Sequence, residues 1–336
     1  MSGKLYIVGW PKQPGITEET MSHLVFVDDP LAFRQPKGRL RKISRSLLVG
    51  RVPLPRRLLR LWFPKDGLDK LAKVTADDSV LFFEWMNART LKVLLRLIPQ
   101  QTACHIYYCN PIRRIFKEPA RQIAALKAAR IGGGGITMSS FDPADARDFG
   151  LDYGGQFFDH AVSNADYVPT TDCFFCGLPK DRTAELSRLK DMLESQGCTC
   201  DFVVPQCREE CLIGDQYYQR LSRARCLVDI VQKNQCGLTK RPLEALLYRK
   251  KLITNNPWVR HEDFYNPHNI FILGEDDDRL LATFVREEPH PVPRNIVERY
   301  DVNVWVRQFF PKHFPSDSHG AASPWSSNAP TNHVPR

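Results

Sequence analysis

The sequence of 336 residues lacks any hydrophobic run that could cross a bilayer. A spanning helix needs about 20 largely apolar residues, and no such run occurs. The N-terminal stretch MSGKLYIVGW has too short an apolar segment for a secretory signal and no cleavage-site pattern. We therefore expect a cytoplasmic protein whose first strand begins almost at once.

The familiar motifs for metal and phosphate binding are also missing. The ten cysteines form short spacings at 173–176, 198–200 and 207–211, but no repeated CxxC…CxxC pattern. Free cysteines in a reducing compartment are favoured over a zinc site, so no metal is expected. The glycine run at 132–135 precedes a strand and is not followed by Gly-Lys-Ser/Thr, which predicts a flexible connection.

Acidic residues are absent from residues 31–65, which carry eleven lysines and arginines, although the whole chain has a net charge of +9. Within 34–63 these cations alternate with bulky apolar residues, and Pro53 and Pro55 break the segment into short pieces. This mixture suits an anionic membrane surface, where each cation contributes about 1 kcal/mol. A solvated pair of helices is the alternative. No nucleic acid is expected, because no recognised nucleic-acid module accompanies the segment.

The order of elements predicts an α/β protein with two domains. Residues 1–165 form the first domain, with strands at 4–9, 23–27, 79–84 and 104–109 and helices at 88–97, 115–130 and 142–150. Residues 166–290 form the second, with strands at 172–176, 201–205, 227–231, 251–254 and 269–273 and helices at 183–196, 215–225 and 243–249. A C-terminal helix, 293–310, lies within 291–311, and we expect the Ser- and Pro-rich residues 312–336 to be disordered.

The stretch 226–273 contains the strongest functional pattern. An apolar strand leads through a polar loop with Gln235 to a helix that carries Glu244 on its first turn, and the next strand is followed by Asn256. In open α/β sheets, ligands bind where the carboxyl ends of the strands meet. We therefore expect a ligand site at this edge.

A second polar turn lies earlier, between the strand at 172–176 and the helix at 183–196. Lys180 and Arg182 lie in this turn, just before the helix. Cations beside a helix N-terminus favour a bound phosphate. The alternative is a solvated surface turn.

These residues resemble the C-terminal domain of a bacterial family of GT-B-fold glycosyltransferases, the lipopolysaccharide or capsular polysaccharide biosynthesis proteins. The matching residues are Gln235, Gly-Leu-Thr at 237–239, Arg241, Glu-Ala-Leu at 244–246, Lys-Leu-Ile-Thr at 251–254 and Tyr-Asn-Pro at 265–267. Further similar blocks at 107–112, 140–151 and 172–186 extend the resemblance over most of 100–285. It is weak before residue 78.

The resemblance implies two Rossmann-like domains that face each other across a cleft. It implies a transferase that moves a sugar from a nucleotide-sugar donor to a glycan or lipid-linked acceptor. No cofactor is expected, because the nucleotide-sugar is a substrate. The basic segment 34–63 would place such an enzyme at the inner face of the plasma membrane. In such enzymes a glutamate at the position of Glu244 accepts hydrogen bonds from the ribose hydroxyls, which suits a carboxylate. Compensation of the helix dipole is the alternative role for Glu244.

The family pattern also implies the other donor-binding residues. Thr239 and Arg241 would contact the donor phosphate or sugar, and Lys180 and Arg182 would neutralise the diphosphate leaving group without a metal. Three further residues complete the expected donor site: Gln235, Gly237 and Asn256.

One departure from the GT-B pattern concerns Cys236, which stands where better-known members carry a sugar-contacting glutamate. Gln235 is the candidate substitute, and a non-catalytic GT-B-scaffold binding protein is the alternative function. For a catalytic base, an inverting enzyme would need a group such as Glu84, at the end of a strand, although a structural role is also open. A retaining enzyme would need no such base.

Overall fold

The computed structural model describes residues 3–27, 39–52, 54–130, 135–158, 168–233 and 235–310. These residues form two compact units, one containing the chain up to Gly155 and from Val302 onward, the other Gln156–Asp301. Each unit has a sheet of parallel strands, which confirms an α/β protein with two Rossmann-like units. The predictions for 31–38, Pro53, most of the glycine run, the domain boundary at 165 and the tail at 312–336 lie outside the described residues.

The first unit contains a six-stranded sheet in the order β2-β1-β3-β4-β5-β6, in which every pair is parallel. Its strands are Leu5–Val8 (β1), Leu24–Val27 (β2), Ser79–Phe83 (β3), Ala103–Tyr108 (β4), Ile136–Ser140 (β5) and Asp152–Tyr153 (β6). The central strand β3 is buried along its whole length. This explains its continuous apolar sequence, since parallel strands in such sheets are covered on both faces.

The helices of this unit include one that the sequence misplaced. They are Glu18–Ser22 (α1), Arg39–Leu48 (α2), Arg56–Leu59 (α3), Lys65–Leu71 (α4), Ala88–Leu95 (α5), Ile112–Ile115 (α6), Pro119–Lys127 (α7) and Pro143–Phe149 (α8). The predicted single helix at 115–130 is wrong, because Phe116 is extended and Pro119 begins a new helix. The cap of α8 is confirmed, since the Asp142 carboxylate accepts the amides of Ala144 and Asp145.

The second unit has a five-stranded parallel sheet in the order β11-β10-β9-β7-β8. Its strands are Thr171–Cys176 (β7), Cys200–Val203 (β8), Ala224–Asp229 (β9), Lys251–Thr254 (β10) and Ile270–Ile272 (β11). Its helices are Thr183–Ser195 (α9), Asp215–Ser222 (α10), Lys240–Leu247 (α11), Leu281–Arg286 (α12) and Arg294–Arg299 (α13). The predicted unit of strand, loop, helix and strand is therefore confirmed as β9, α11 and β10.

Helix α11 begins three residues earlier than the predicted 243–249. The Thr239 hydroxyl caps it by accepting the amide of Arg241, and Pro242 is tolerated because it lies in the first turn. Glu244 therefore lies on the second turn. Compensation of the helix dipole weakens beyond the first turn, so that explanation of Glu244 loses force.

The predicted helix at 293–310 is wrong, because two short helices replace it. Helix α13 ends at Arg299, and the last helix, Val302–Arg307 (α14), belongs to the first unit. Between them, the Tyr300 hydroxyl lies 2.9 Å from Glu262 Oε2 and 2.7 Å from Asp263 Oδ1. These contacts hold Tyr300 in the second unit. No helix of the described residues is long and apolar enough to span a membrane.

His105 on β4 is held between two hydroxyl groups of β5. Its Nδ1 lies 2.7 Å from Thr137 Oγ1, and its Nε2 lies 2.7 Å from Ser139 Oγ. Burial lowers the pKa of His105 from 6.5 to about 3. The folded protein therefore keeps this imidazole neutral at pH values where the unfolded chain protonates it.

We expect His105 to make the protein less stable as the pH falls from 6.5 towards 3. In that window the unfolded state binds one more proton, so the free energy of unfolding should fall by up to about 1.4 kcal/mol per pH unit. Urea unfolding of the wild type and His105→Gln over this range isolates the effect, because other titrating groups are common to both. The stability advantage of the wild type should shrink as the pH falls. A difference independent of pH would contradict this assignment.

Candidate functional site

The sheet of the second unit changes its direction of strand order between β7 and β9. Strand β8 lies on one side of β7, whereas β9, β10 and β11 follow on the other side. A switch of this kind leaves a crevice outside the carboxyl ends of the two strands, and open α/β sheets bind ligands there. Here those ends are Cys176 on β7 and Asp229 on β9.

Asp229 is a fully buried carboxylate at this edge, with 0 % of its surface exposed. Its Oδ1 accepts a hydrogen bond from the Thr239 hydroxyl at 2.8 Å and lies 3.6 Å from Arg241 Nη1. Its Oδ2 has no hydrogen-bond partner among the described residues. Burial raises the pKa of Asp229, and the charge of Arg241 opposes that rise. The positive charge of Arg241 thus stabilises the ionised form of this buried carboxyl group.

Two guanidinium groups, those of Arg241 and Arg182, lie at the end of β7. Arg241 Nη2 donates to the carbonyl of Cys176, and Arg182 Nη1 donates to the carbonyl of Ile230. The guanidinium carbons of Arg241 and Arg182 lie 4.8 and 5.2 Å from the centre of the Phe175 ring. Both cations are therefore fixed in place by main-chain carbonyls and by an aromatic face.

Gly177 leaves the space that these two cations occupy. A Cβ atom at this position would lie 2.9 Å from Arg241 Nη2 and 3.0 Å from Arg182 Nη2. Both guanidinium groups are fixed by their carbonyl contacts and cannot move aside without breaking them. Any larger residue after β7 would therefore displace these guanidinium groups.

We expect Gly177→Ala to lower the free energy of unfolding by about 1–3 kcal/mol, because the added methyl group overpacks the guanidinium pair. Denaturant unfolding measures this loss. Gly135→Ala is the matched control, since a Cβ atom at Gly135 would meet nothing within 4 Å. Equal stabilities of the two variants would show that the cations are not held as described.

Glu244 is buried beside this cluster, on the side of helix α10. Its Oε2 accepts a hydrogen bond from the Tyr217 hydroxyl at 2.6 Å, and its surface is only 5 % exposed. Burial lowers the pKa of Arg241, but its neighbours Tyr217, Asp229 and Glu244 raise that pKa by more. The structure therefore brings Glu244 and Arg241 into one charged network.

The loop before α11 is held by amide side chains. Gln235 Nε2 donates to the carbonyl of Gly237 at 3.1 Å, and Asn256 Nδ2 donates to the carbonyl of Cys236 at 2.9 Å. Asn256 is buried and also caps the short 3-10 helix Pro257–His261 through its Oδ1. In this structure both amides thus shape the loop.

Of the expected donor-binding residues, the structure brings Arg182, Thr239 and Arg241 together around the switch point. Lys180 is exposed on the turn before α9, in a left-handed backbone conformation with φ of 49°. The role of Lys180, Arg182, Thr239 and Arg241 as donor ligands stays a prediction. Arg182 is buried and holds main-chain carbonyls, so it would have to exchange these for a phosphate.

Sequence reasoning missed Asp229 and Tyr217. Asp229 could have been found, because a carboxylate inside the apolar run Leu-Val-Asp-Ile-Val is costly to bury without a partner. Tyr217 gave no such signal, since its contact with Glu244 joins residues 27 positions apart. Only the fold reveals that pair.

Glu84, the expected catalytic base, lies in the first unit at the equivalent edge. The strand order switches there between β1 and β3, and Glu84 follows β3 directly. Its Oε1 accepts from the thiol of Cys109 at 3.0 Å and from the amide of Asn110 at 2.5 Å. Its φ of 49° is left-handed, a strain of about 1–3 kcal/mol that is common at functional sites.

The cysteines do not gather around a metal. The described residues contain no group of three or more His, Cys, Asp or Glu side chains that could hold one. All ten cysteines are free, and five of them are buried: Cys104, Cys173, Cys176, Cys198 and Cys226. Burial raises the pKa of Cys104 to about 11, which keeps this thiol protonated and unreactive.

Comparison with known proteins assigns no family to this geometry. No family model matches the chain, and no curated protein is significantly similar to it.

Proposed function

We propose that this protein is a glycosyltransferase of the GT-B class that transfers a sugar from a nucleotide-sugar donor to a surface glycan of the lipopolysaccharide or capsule type. One observation carries the proposal. The charged network of Arg182, Asp229, Arg241 and Glu244 lies at the switch point of a Rossmann-like sheet. That is where such sheets bind nucleotides, and it coincides with the block of sequence that resembles the GT-B family.

In this proposal the second unit binds the donor. The Glu244 carboxylate accepts hydrogen bonds from the two vicinal ribose hydroxyls, a geometry that suits its two oxygens. Tyr217 donates to Glu244 at 2.6 Å and so orients that carboxylate. Gln235, Gly237 and Asn256 shape the loop against which the nucleotide lies.

The cations of the same edge stabilise the leaving group. As the acceptor hydroxyl attacks the anomeric carbon, the bond from that carbon to the diphosphate oxygen breaks, and negative charge develops on the diphosphate. The fixed guanidinium groups of Arg182 and Arg241, with the exposed Lys180, supply positive potential where that charge appears. In an inverting reaction, Glu84 accepts the proton of the acceptor hydroxyl.

Nucleotide release tests the proposal. The wild type is incubated with a panel of UDP- and GDP-sugars and glycan acceptors, and release of UDP or GDP is measured. Glu244→Ala and Arg241→Ala should abolish turnover, whereas Asp191→Asn, an exposed carboxylate on α9, should retain it. Arg241→Ala also removes the contact of Arg241 with the Cys176 carbonyl, so it changes the structure as well as the charge. Glu244→Gln is the variant that keeps the fold, because its amide oxygen can still accept from Tyr217. Full turnover in both alanine variants would overturn the site assignment.

A non-catalytic nucleotide-sugar or glycan binding protein is the second candidate. Two observations favour it. Arg241 and Arg182 already donate hydrogen bonds to the carbonyls of Cys176 and Ile230, respectively. In addition, Cys236 stands in place of a sugar-contacting glutamate. Calorimetry distinguishes the two candidates. Donor binding without transfer to any acceptor of a broad set would favour the binding protein.

A further inference from the structure

An apolar groove is exposed on the first unit, between helix α2 and the residues that follow α3. The groove has a volume of about 370 Å³ and is lined by Leu40, Ile43, Ser44, Leu47, Leu61 and Trp62. Trp62 forms its buried wall and donates from Nε1 to Ser44 Oγ at 3.0 Å. We call this surface the α2 groove.

The apolar side chains along the α2 groove face solvent. Leu40, Ile43 and Leu47 are 83, 49 and 56 % exposed, and Leu61 is 51 % exposed. The first three recur at the spacing that places them on one stripe of α2. A stripe of large apolar residues that neither packs on the sheet nor points into the core is unusual on a protein surface and indicates an interaction surface.

The chain segment that forms the groove is rich in cations. Residues 39–65 contain nine lysines and arginines and no aspartate or glutamate. Among the described residues, Asp69 pairs with Arg56 and Arg60 only. Exposed cations that form no ion pair within the described part of the chain are Arg39, Lys42, Arg51, Arg57 and Lys65.

We propose that the α2 groove and the exposed cations of the same segment dock the first unit on an anionic phospholipid bilayer. The leucine and isoleucine side chains enter the boundary between headgroups and acyl chains, while the cations remain at the level of the lipid phosphates. An exposed apolar stripe in a segment rich in exposed cations fits a lipid surface, which offers both an apolar layer and negative charge. This proposal is independent of glycosyl transfer, because it uses no residue of the donor site or Glu84.

Vesicle co-sedimentation tests the proposal with the full chain. The wild type should bind vesicles of phosphatidylcholine mixed with phosphatidylglycerol about tenfold or more tightly than vesicles of phosphatidylcholine alone, and salt should weaken that binding. The double variant Leu40→Ser/Leu47→Ser should weaken binding about tenfold or more. Lys42→Glu/Arg57→Glu should do the same. All four residues are exposed, so the fold should be kept.

Matched controls separate this surface from general stickiness. Val168→Ser/Ile213→Ser changes two side chains that are 80 and 77 % exposed elsewhere, and Lys92→Glu/Lys117→Glu reverses two exposed cations outside the segment. Both controls should bind vesicles like the wild type. Equal binding to neutral and anionic vesicles, or unchanged binding by the Leu40/Leu47 variant, would overturn the proposal. Binding to generic RNA that depends on Lys42 and Arg57 but not on Leu40 and Leu47 would assign the surface to nucleic acid instead.

Discussion

Asp229→Ala is expected to lower the free energy of unfolding by about 3–5 kcal/mol, the cost of removing one partner from a buried ion pair. The substitution removes the carboxylate that pairs with the buried guanidinium of Arg241, whose remaining carboxylate neighbour is Glu244, and leaves the Thr239 hydroxyl without its acceptor. Urea unfolding followed by circular dichroism measures the loss. Asp229→Asn should cost less, because its amide oxygen can still accept from Thr239.

The matched control for Asp229 is an exposed carboxylate. Glu298 forms a surface ion pair with Arg294, and their side chains are 57 % and 91 % exposed, respectively. Glu298→Ala breaks this pair and should leave the free energy of unfolding close to that of the wild type. If Asp229→Ala were as stable as Glu298→Ala, the buried charge network would not hold the switch point together. The two outcomes are far enough apart for a single unfolding series to decide.

Glu84→Gln is expected to lower turnover by about 10²–10⁴-fold, the usual contribution of a general base. The amide that this substitution introduces cannot take a proton from the acceptor, although its oxygen can still accept from Cys109 and Asn110. Donor affinity, which the second unit provides, should stay unchanged. Nucleotide release in steady state and donor titration by calorimetry measure the two quantities separately.

A structural role for Glu84 would give a different result. In that case Glu84→Gln would lower the unfolding midpoint and leave turnover per folded molecule intact. Glu118→Gln, an exposed carboxylate of the same unit, is the control and should change neither quantity. Full turnover by Glu84→Gln would remove the residue from the reaction and would favour a retaining mechanism or the binding-protein function.

The sequence predicted most strands, because their apolar runs are long and bounded by polar turns. The strand Lys251–Thr254 was predicted to the residue, and β3 differs from its prediction only by Glu84. Helix boundaries were predicted less well where residues far away in the sequence end a helix. The break at Tyr300 is fixed by Glu262 and Asp263, which no local pattern around residue 300 reveals.

The candidate site was predictable in outline and not in its contacts. The loop Gly237–Thr239 and the helix with Glu244 were predicted from local sequence, since a polar loop after a strand is a local signal. The cap at Thr239, which starts this helix at Lys240, was not predicted. The partners of those residues come from other elements. Arg241 reaches the carbonyl of Cys176, 65 positions away, and this contact exists only because β7 and β9 are neighbours in the sheet.

Hydrogen exchange with and without donor tests whether the switch point of the second unit binds a nucleotide-sugar. The full chain is exchanged in the presence of UDP- and GDP-sugars, and amide protection is compared by peptide. We expect at least one donor to slow exchange in residues 177–185 and 235–244, and we expect Glu244→Ala to abolish this protection. Unchanged exchange in both segments with every donor, or protection confined to other parts of the chain, would contradict donor binding at the switch point.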